Sequence, residues 1–323
     1  MKRRSFIAAC TAASAAAAFA QTRKPALVGV LGSAVRAASA FTLSGLRAGL
    51  KEAGLAEGQD FELTELWAEG RYEDLPALAR QLIGRRVALI FASSLPAALA
   101  AKAATTTIPV VFTSGADPVQ MGLVASLNRP GGNLTGVSNM LGTLGPKRLE
   151  LLRLAAPKGS LIAVISNPRN PNAETHLKEI RAAAASIKQR IQVFNAGGSD
   201  EISQAFAALV RARAGALLVA DDPRLTGHRT EITGLAAKHK LSAIYYDREF
   251  VASGGLMSYG ANLTDNTRMA GAYVGRILKG MKPSDLPVLQ PTKFEFVINR
   301  KTATALGIKL TEEMLLRATE VIE

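Results

Sequence analysis

The feature of this 323-residue sequence that most restricts its fold is an alternation of short apolar runs with longer amphipathic ones, which starts afresh halfway along. In the first round, "ALVGVLG" (26–32), "DFELTELWA" (60–68), "VALIFAS" (87–93), "IPVVFTS" (108–114) and the end of "NRPGGNLTGVS" (128–138) predict strands. Helical periodicity lies between them at 39–54, 72–86 and 96–105. Asp117 before Pro118 predicts a further helix over 118–127, an N-cap followed by Pro at the first helical position. A connecting helix over 144–157 opens the second round. Its strands fall at 160–167, 190–196, 215–222, 241–247 and 254–260, with helices over 172–187, 200–214, 230–240 and 265–280. The crossing "MKPSDLPVLQPT" then leads to a strand over 293–299 and a last helix near 301–307. Strand–helix alternation demands a parallel sheet with helices on both faces. The restart makes two such units, an α/β chain of two doubly wound Rossmann-like lobes.

The first twenty residues, "MKRRSFIAACTAASAAAAFA", stand outside this pattern. A basic start, an Ala-rich apolar middle and Ala18-Phe19-Ala20 read as an export signal cleaved before Gln21. Arg3-Arg4-Ser5-Phe6-Ile7 resembles a twin-arginine signal, so both that route and the general secretory route stay open. Cys10 is the single cysteine; too few apolar residues precede it for a lipoprotein signal core. The mature chain then has no thiol, no disulfide and no cysteine-bound metal. No later segment is apolar for the roughly 18 residues that a spanning helix needs, so a periplasmic chain without membrane insertion is expected. The formal charge of +13 falls to +10 when Lys2, Arg3 and Arg4 leave. The remaining Lys and Arg are dispersed over helical faces, which reads as solvated surface and argues against a nucleic-acid partner.

In doubly wound sheets, ligands bind outside the carboxyl ends of the strands. The polar breaks fall there: Ser33, Ser93-Ser94, Thr113-Ser114-Gly115 and Ser138-Asn139 in the first lobe, and Ser166-Asn167, Asp221-Asp222, Asp247 and Ser258-Tyr259 in the second. Of these, Ser33, Ser93, Ser94, Ser114, Asn139, Asn167, Asp222, Asp247 and Tyr259 are the ligand candidates. Tyr246 sits at a strand end as well. Several of these have structural readings too. Asp117 and Asn170 read as helix caps, Ser93 and Ser94 as caps of the next helix, Asp222 as a turn residue and Trp67 as packing. His176, His228 and His239 show no metal spacing and read as solvent-facing.

Catalytic signatures are missing. There is no G-x-S-x-G, H-E-x-x-H or G-x-x-x-x-G-K-[ST], and "GVLGSAVRAA" lacks the glycines of a dinucleotide site. No cofactor, metal or turnover is expected. Two sets of polar strand ends suggest instead a clamp that closes on a small molecule. A zwitterionic ligand would meet Ser93, Ser94 and Ser114 with its carboxylate and Asp222, or else Asp117, with its ammonium. Tyr246 and Tyr259 could supply an aromatic wall.

The segments "WAEGRYEDLPALARQLI", "DPVQMGLVASLNRPGGNLTGVS", "LGPKRLELLRLAAP", "REFVASGGLMSYGANLTD" and "YVGRILKGMKPSDLPVLQPTKFEFVINRKTATALG" together resemble one family. It is the ABC transporter substrate-binding protein family related to tryptophan and tyrosine importer receptors, and the likeness spans the mature chain. The resemblance implies a type I periplasmic binding fold with crossovers near 139–145, 254–264 and 283–292. Lobe one would comprise 25–140 plus 262–285, and lobe two 141–261 plus 286–323. It further implies a monomeric receptor that passes a small molecule, an amino acid first among candidates, to an ABC permease. A purine, an aromatic acid or a peptide-like compound remains an alternative ligand. A repressor's sensor lobes would need an N-terminal helix-turn-helix where this chain has an export signal, and a periplasmic enzyme would need a nucleophile–base pair.

Overall fold

In the computed structural model, which describes residues 24–323, the first apolar run forms β1 (Ala26–Gly32), buried along its last five positions. It lies inside a parallel sheet with β2 (Phe61–Trp67), β3 (Leu89–Ala92), β4 (Val110–Ser114) and β5 (Leu134–Ser138), in the order β2-β1-β3-β4-β5. β3, β4 and β5 are buried throughout, as strands covered on both faces must be. One cover is α2 (Leu75–Gly84) with α3 (Leu95–Ala104); the other is α1 (Ala40–Glu52) with the late helix α10 (Leu263–Leu278).

The second sheet has seven strands among the described residues, in the order β12-β11-β10-β9-β8-β6-β7. They are β6 (Leu161–Ser166), β7 (Ile191–Asn195), β8 (Ala214–Val219), β9 (Ser242–Tyr245), β10 (Met257–Gly260), β11 (Glu295–Asn299) and β12 (Glu320–Ile322). All neighbours are parallel except β10 and β11. One apolar layer joins α6 (Ser199–Arg211), α8 (Arg229–Lys238) and α9 (Arg248–Ala252) to the sheet. The opposite layer joins α4 (Gly145–Ala155), α5 (Ala173–Ser186), α11 (Arg300–Ala305) and α12 (Glu312–Arg317). The short α7 (Pro223–Gly227) follows β8 directly.

The chain passes between the sheets three times. It leaves the first after Ser138 for α4, returns after Gly260 through α10, and leaves again after Leu289 for β11. α10 is held against α1 by backbone proximity. A Cβ on Gly49 would stand 2.0 Å from the Arg268 carbonyl oxygen, and one on Gly271 would stand 2.5 Å from that of Leu46. The last crossing starts later than the expected division at 285. Thr135 Oγ1 donates to the Leu286 carbonyl, the Leu289 N–H donates to Gly136, and the Ser138 N–H donates to Leu289, so 286–289 run beside β5.

The helix expected over 118–127 does not form. Asp117 Oδ1 accepts from the Val119 and Gln120 N–H groups, and one turn later Gly122 adopts φ 66°, which ends the coil. α7, α9, α12 and β12 are elements that the sequence pattern did not announce. The export-signal reading, including Cys10, lies outside the described residues.

Candidate functional site

The carboxyl ends of the two sheets face each other across a cavity with about 770 Å³ of empty space, counted to its open mouth. Each wall is a strand-end loop followed by a helix start. On the first sheet, β3 gives way to Ser93-Ser94 and α3. Ser94 Oγ caps the helix by accepting from the Ala97 N–H at 3.3 Å, and lies 2.7 Å from Ser33 Oγ. Ser93, Ser94, Leu95 and Pro96 therefore bring the N-terminus of a ten-residue helix to the cavity. Thr113, Gly115 and Ala116 line it at the end of β4, Phe41 and Thr42 at the start of α1, and Asn139 and Leu141 on the first crossover.

The second sheet contributes Asn170, Asn172, Asp221, Asp222, Thr226 and Tyr246. Asp222 is buried, and each of its oxygens is engaged. Oδ1 accepts from the Arg224 and Leu225 N–H groups at 2.9 and 3.0 Å, which caps α7. Oδ2 accepts from Tyr72 Oη at 2.8 Å and Asn170 Nδ2 at 3.0 Å, and Asn167 Nδ2 bridges both oxygens. Burial pushes the Asp222 carboxyl up to about 6, against the lowering effect of these donors. Tyr72 belongs to the first sheet's α2 side, so its bond to Asp222 spans the two halves. Burial and the adjoining carboxylate push the Tyr72 phenol well above its usual value.

Behind this wall lies a charged cluster that sequence reasoning missed. Arg148 of α4 has no solvent exposure. Its Nε donates to the Tyr259 carbonyl at 2.8 Å and its Nη2 to that of Leu141 at 3.1 Å, which ties the end of β10 and the first crossover to one guanidinium. Its charge stands 5.9 Å from the Tyr246 ring centroid. Burial lowers Arg148 to about 10, and nearby Asp221 is the largest influence in the other direction. His176 was expected to face solvent; it is buried instead, with Nδ1 2.7 Å from Asp221 Oδ1. Its place on α5 puts it against Gly145 at the start of α4, where apolar periodicity gives no warning of a buried histidine. His228 is half-buried beside Glu231, and His239 is half-buried near the Phe206 ring.

Of the residues predicted for the site, Ser93, Ser94, Asn139, Asp222 and Tyr246 line the cavity. Ser33, Ser114 and Asn167 stand one layer behind: Ser33 pairs with Ser94, Ser114 closes its own loop on Ala116, and Asn167 holds Asp222. The other three lie away from it. Asp117 is exposed and caps its own turn. Asp247 is buried as the cap of α9, where burial pushes its carboxyl up to about 7. Tyr259 points to the outer face of β10, beside Phe294 and Phe296. Asn170, read as a plain cap, does accept from the Asn172 N–H, and it also lines the cavity. Trp67 packs as expected; a Cβ on Gly32 would stand 1.9 Å from its ring. Asp221, read in the sequence as a strand-end residue beside Asp222 but not singled out for the ligand, lines the cavity too, and Phe41 is among the lining residues that the sequence reading did not consider.

Among the described residues no cluster of His, Cys, Asp and Glu could hold a metal ion, and no helix is long and apolar enough to cross a membrane.

The sequence model of the family described as ABC transporter substrate binding protein matches residues 28–322. A tyrosine-binding protein of Clostridioides difficile (strain R20291) is 29% identical over 260 residues, which cover 80% of this chain and 74% of the relative. Two solved structures are each 26% identical. An ABC domain from Streptococcus pneumoniae in complex with L-Trp superimposes with a TM-score of 0.81, covering 91% of this chain and 100% of the other. The ligand-free, open form of a substrate-binding protein with adhesive properties from Clostridium difficile gives 0.65, covering 92% and 99%.

Proposed function

The chain belongs to the ABC transporter substrate-binding protein family, and from that premise we propose that it captures an aromatic amino acid between its two lobes and delivers it to an importer permease. The family is one of small-molecule receptors associated with ABC transporters. The ligand class rests on the relatives, one named for tyrosine and one solved with L-Trp. The single observation that carries the reading is the cavity itself. It joins the α3 N-terminus on one wall to two carboxylates on the other, with Phe41 and Tyr246 among apolar neighbours.

In this arrangement the ligand carboxylate lies at the start of α3, met by the Ser93 and Ser94 hydroxyls and the positive end of the helix dipole. The cationic end lies toward Asp221 and Asp222. The ring lies against Phe41 and Tyr246. Asn139, on the first crossover, has a buried Oδ1 without a hydrogen-bond partner and is ready to take a ligand donor. The better superposition on the L-Trp complex than on an open form, at equal identity, supports reading this structure as the closed state. Opening would separate residues 25–140 with 262–289 from 141–261 with 290–323, as a hinge at the three crossovers. The protein works without turnover, as a monomer, after export under residues 1–20.

The test is calorimetric titration of ligand-stripped mature protein with L-Trp, L-Tyr, L-Phe, purines and aromatic acids. Saturable binding confined to the amino acids supports the proposal. Binding of a purine or an aromatic acid alone replaces the ligand class and leaves the receptor role.

A further inference from the structure

Resting on the amino-acid reading, we propose that Asp221, and not its neighbour Asp222, is the residue that selects ligands carrying an ammonium group. Both carboxylates line the cavity, yet they differ in what they have left to offer. Asp222 accepts from two backbone N–H groups, a phenol and two side-chain amides, so its lone pairs are committed to α7 and to Tyr72. Asp221 accepts none of these. Its Oδ1 is buried beside His176, whose Nδ1 stands 2.7 Å away, and takes no hydrogen bond. Its Oδ2 is turned toward the opposite sheet, 2.9 Å from where a Cβ on Gly115 would sit. With Oδ1 backed by His176, Oδ2 is the Asp221 oxygen left uncommitted toward the cavity, and a cation there is the partner it would take.

The surroundings fix this carboxylate in place. His176, wedged against Gly145, backs Oδ1. Arg148 lies behind with its Nη1 unpartnered and its charge coupled to Asp221. The cluster is anchored to the first crossover through Leu141 and to the end of β10 through Tyr259. Gly115 leaves room for Oδ2 only because it has no side chain. Asp221 is thus a specificity residue, while Asp222 holds the wall that carries it.

The experiment is calorimetry of wild type, Asp221→Asn and Asp222→Asn with L-tryptophan and with indole-3-propionate, which is tryptophan without its ammonium group. The wild type should prefer L-tryptophan. Asp221→Asn should lose L-tryptophan affinity by about thirtyfold, the scale of one charge-assisted bond, and leave indole-3-propionate unchanged. Asp222→Asn should weaken both alike. Should Asp221→Asn not fold, Gly115→Ala crowds Oδ2 from the opposite sheet and should show the same selective loss. Equal loss of both compounds, or of neither, overturns the proposal. A wild type that binds the two equally also overturns it and leaves the receptor reading intact. A wild type that binds neither aromatic amino acids nor the analogue removes the ligand class and this inference with it.

Discussion

Tyr72 Oη and Asp222 Oδ2 lie 2.8 Å apart, although one side chain belongs to the first lobe and the other to the second, 150 positions later in the chain. The same phenol oxygen accepts from the Arg224 N–H at 3.2 Å, so a single hydroxyl is bonded twice to the far wall. Opening of the cleft must break both bonds. On the proposed closure they would act as a latch whose strength is part of the ligand affinity, since closure and binding would be one equilibrium.

Tyr72→Phe keeps the ring and removes the latch. A hydrogen bond to a charged group contributes about 2 kcal/mol, so ligand affinity should fall roughly thirtyfold. Calorimetry checks the affinity, and stopped-flow fluorescence should place the change in the dissociation rate. An unchanged affinity would mean that closure does not depend on this contact.

Arg148→Ala leaves the Leu141 and Tyr259 carbonyls without their donor and removes the buried positive charge near Asp221. Removal of one member of a buried charged network costs about 3–5 kcal/mol, and urea unfolding should show a loss of that order. Arg148→Met, which fills the volume without the charge, should recover part of it.

Gly49→Ala tests the α1–α10 contact. Alanine is favoured over glycine in a helix by about 1 kcal/mol, but here its Cβ meets the Arg268 carbonyl, and overpacking costs about 1–3 kcal/mol. A clash at 2.0 Å with backbone, which cannot rotate away, decides the sign. Net destabilisation in urea is expected, with little change in ligand affinity at saturating stability.

Asp247 gives a pH dependence. Its carboxyl is raised to about 7 in the folded protein by burial, from 3.8. The folded state therefore holds this proton more tightly than the unfolded chain. The contribution to stability is complete below about pH 4 and is lost as the pH rises through about 7. Its full size is on the order of 4 kcal/mol. Asp247→Asn should remove this slope, so the melting temperatures of variant and wild type should converge at acid pH and separate in the variant's favour at pH 8. Parallel curves across that range would contradict the assignment.

The strand–helix order was legible because each buried strand is a continuous apolar run and each helix keeps its period. The two-lobe plan follows from repetition of that order. The turn at Asp117 was not legible: Asp-Pro begins a helix as readily as a capped turn, and Gly122 decides which. At the site, strand-end position found Ser93, Ser94, Asn139, Asp222 and Tyr246. It could not separate Asp221 from Asp222, since both stand at one strand end and only the capping of α7 shows which of them is committed. Phe41 escaped because it reaches the cavity from a helix start. Arg148 and His176 escaped because a buried charge on a helix looks, in sequence, like a solvated one.

The central claim is that ligand capture and lobe closure are one event. Small-angle X-ray scattering of the ligand-stripped mature protein, before and after L-tryptophan or L-tyrosine is added, tests it most directly. The account predicts a smaller radius of gyration on saturation and a profile that matches the structure described here. Binding that calorimetry detects while the scattering profile stays unchanged would contradict it.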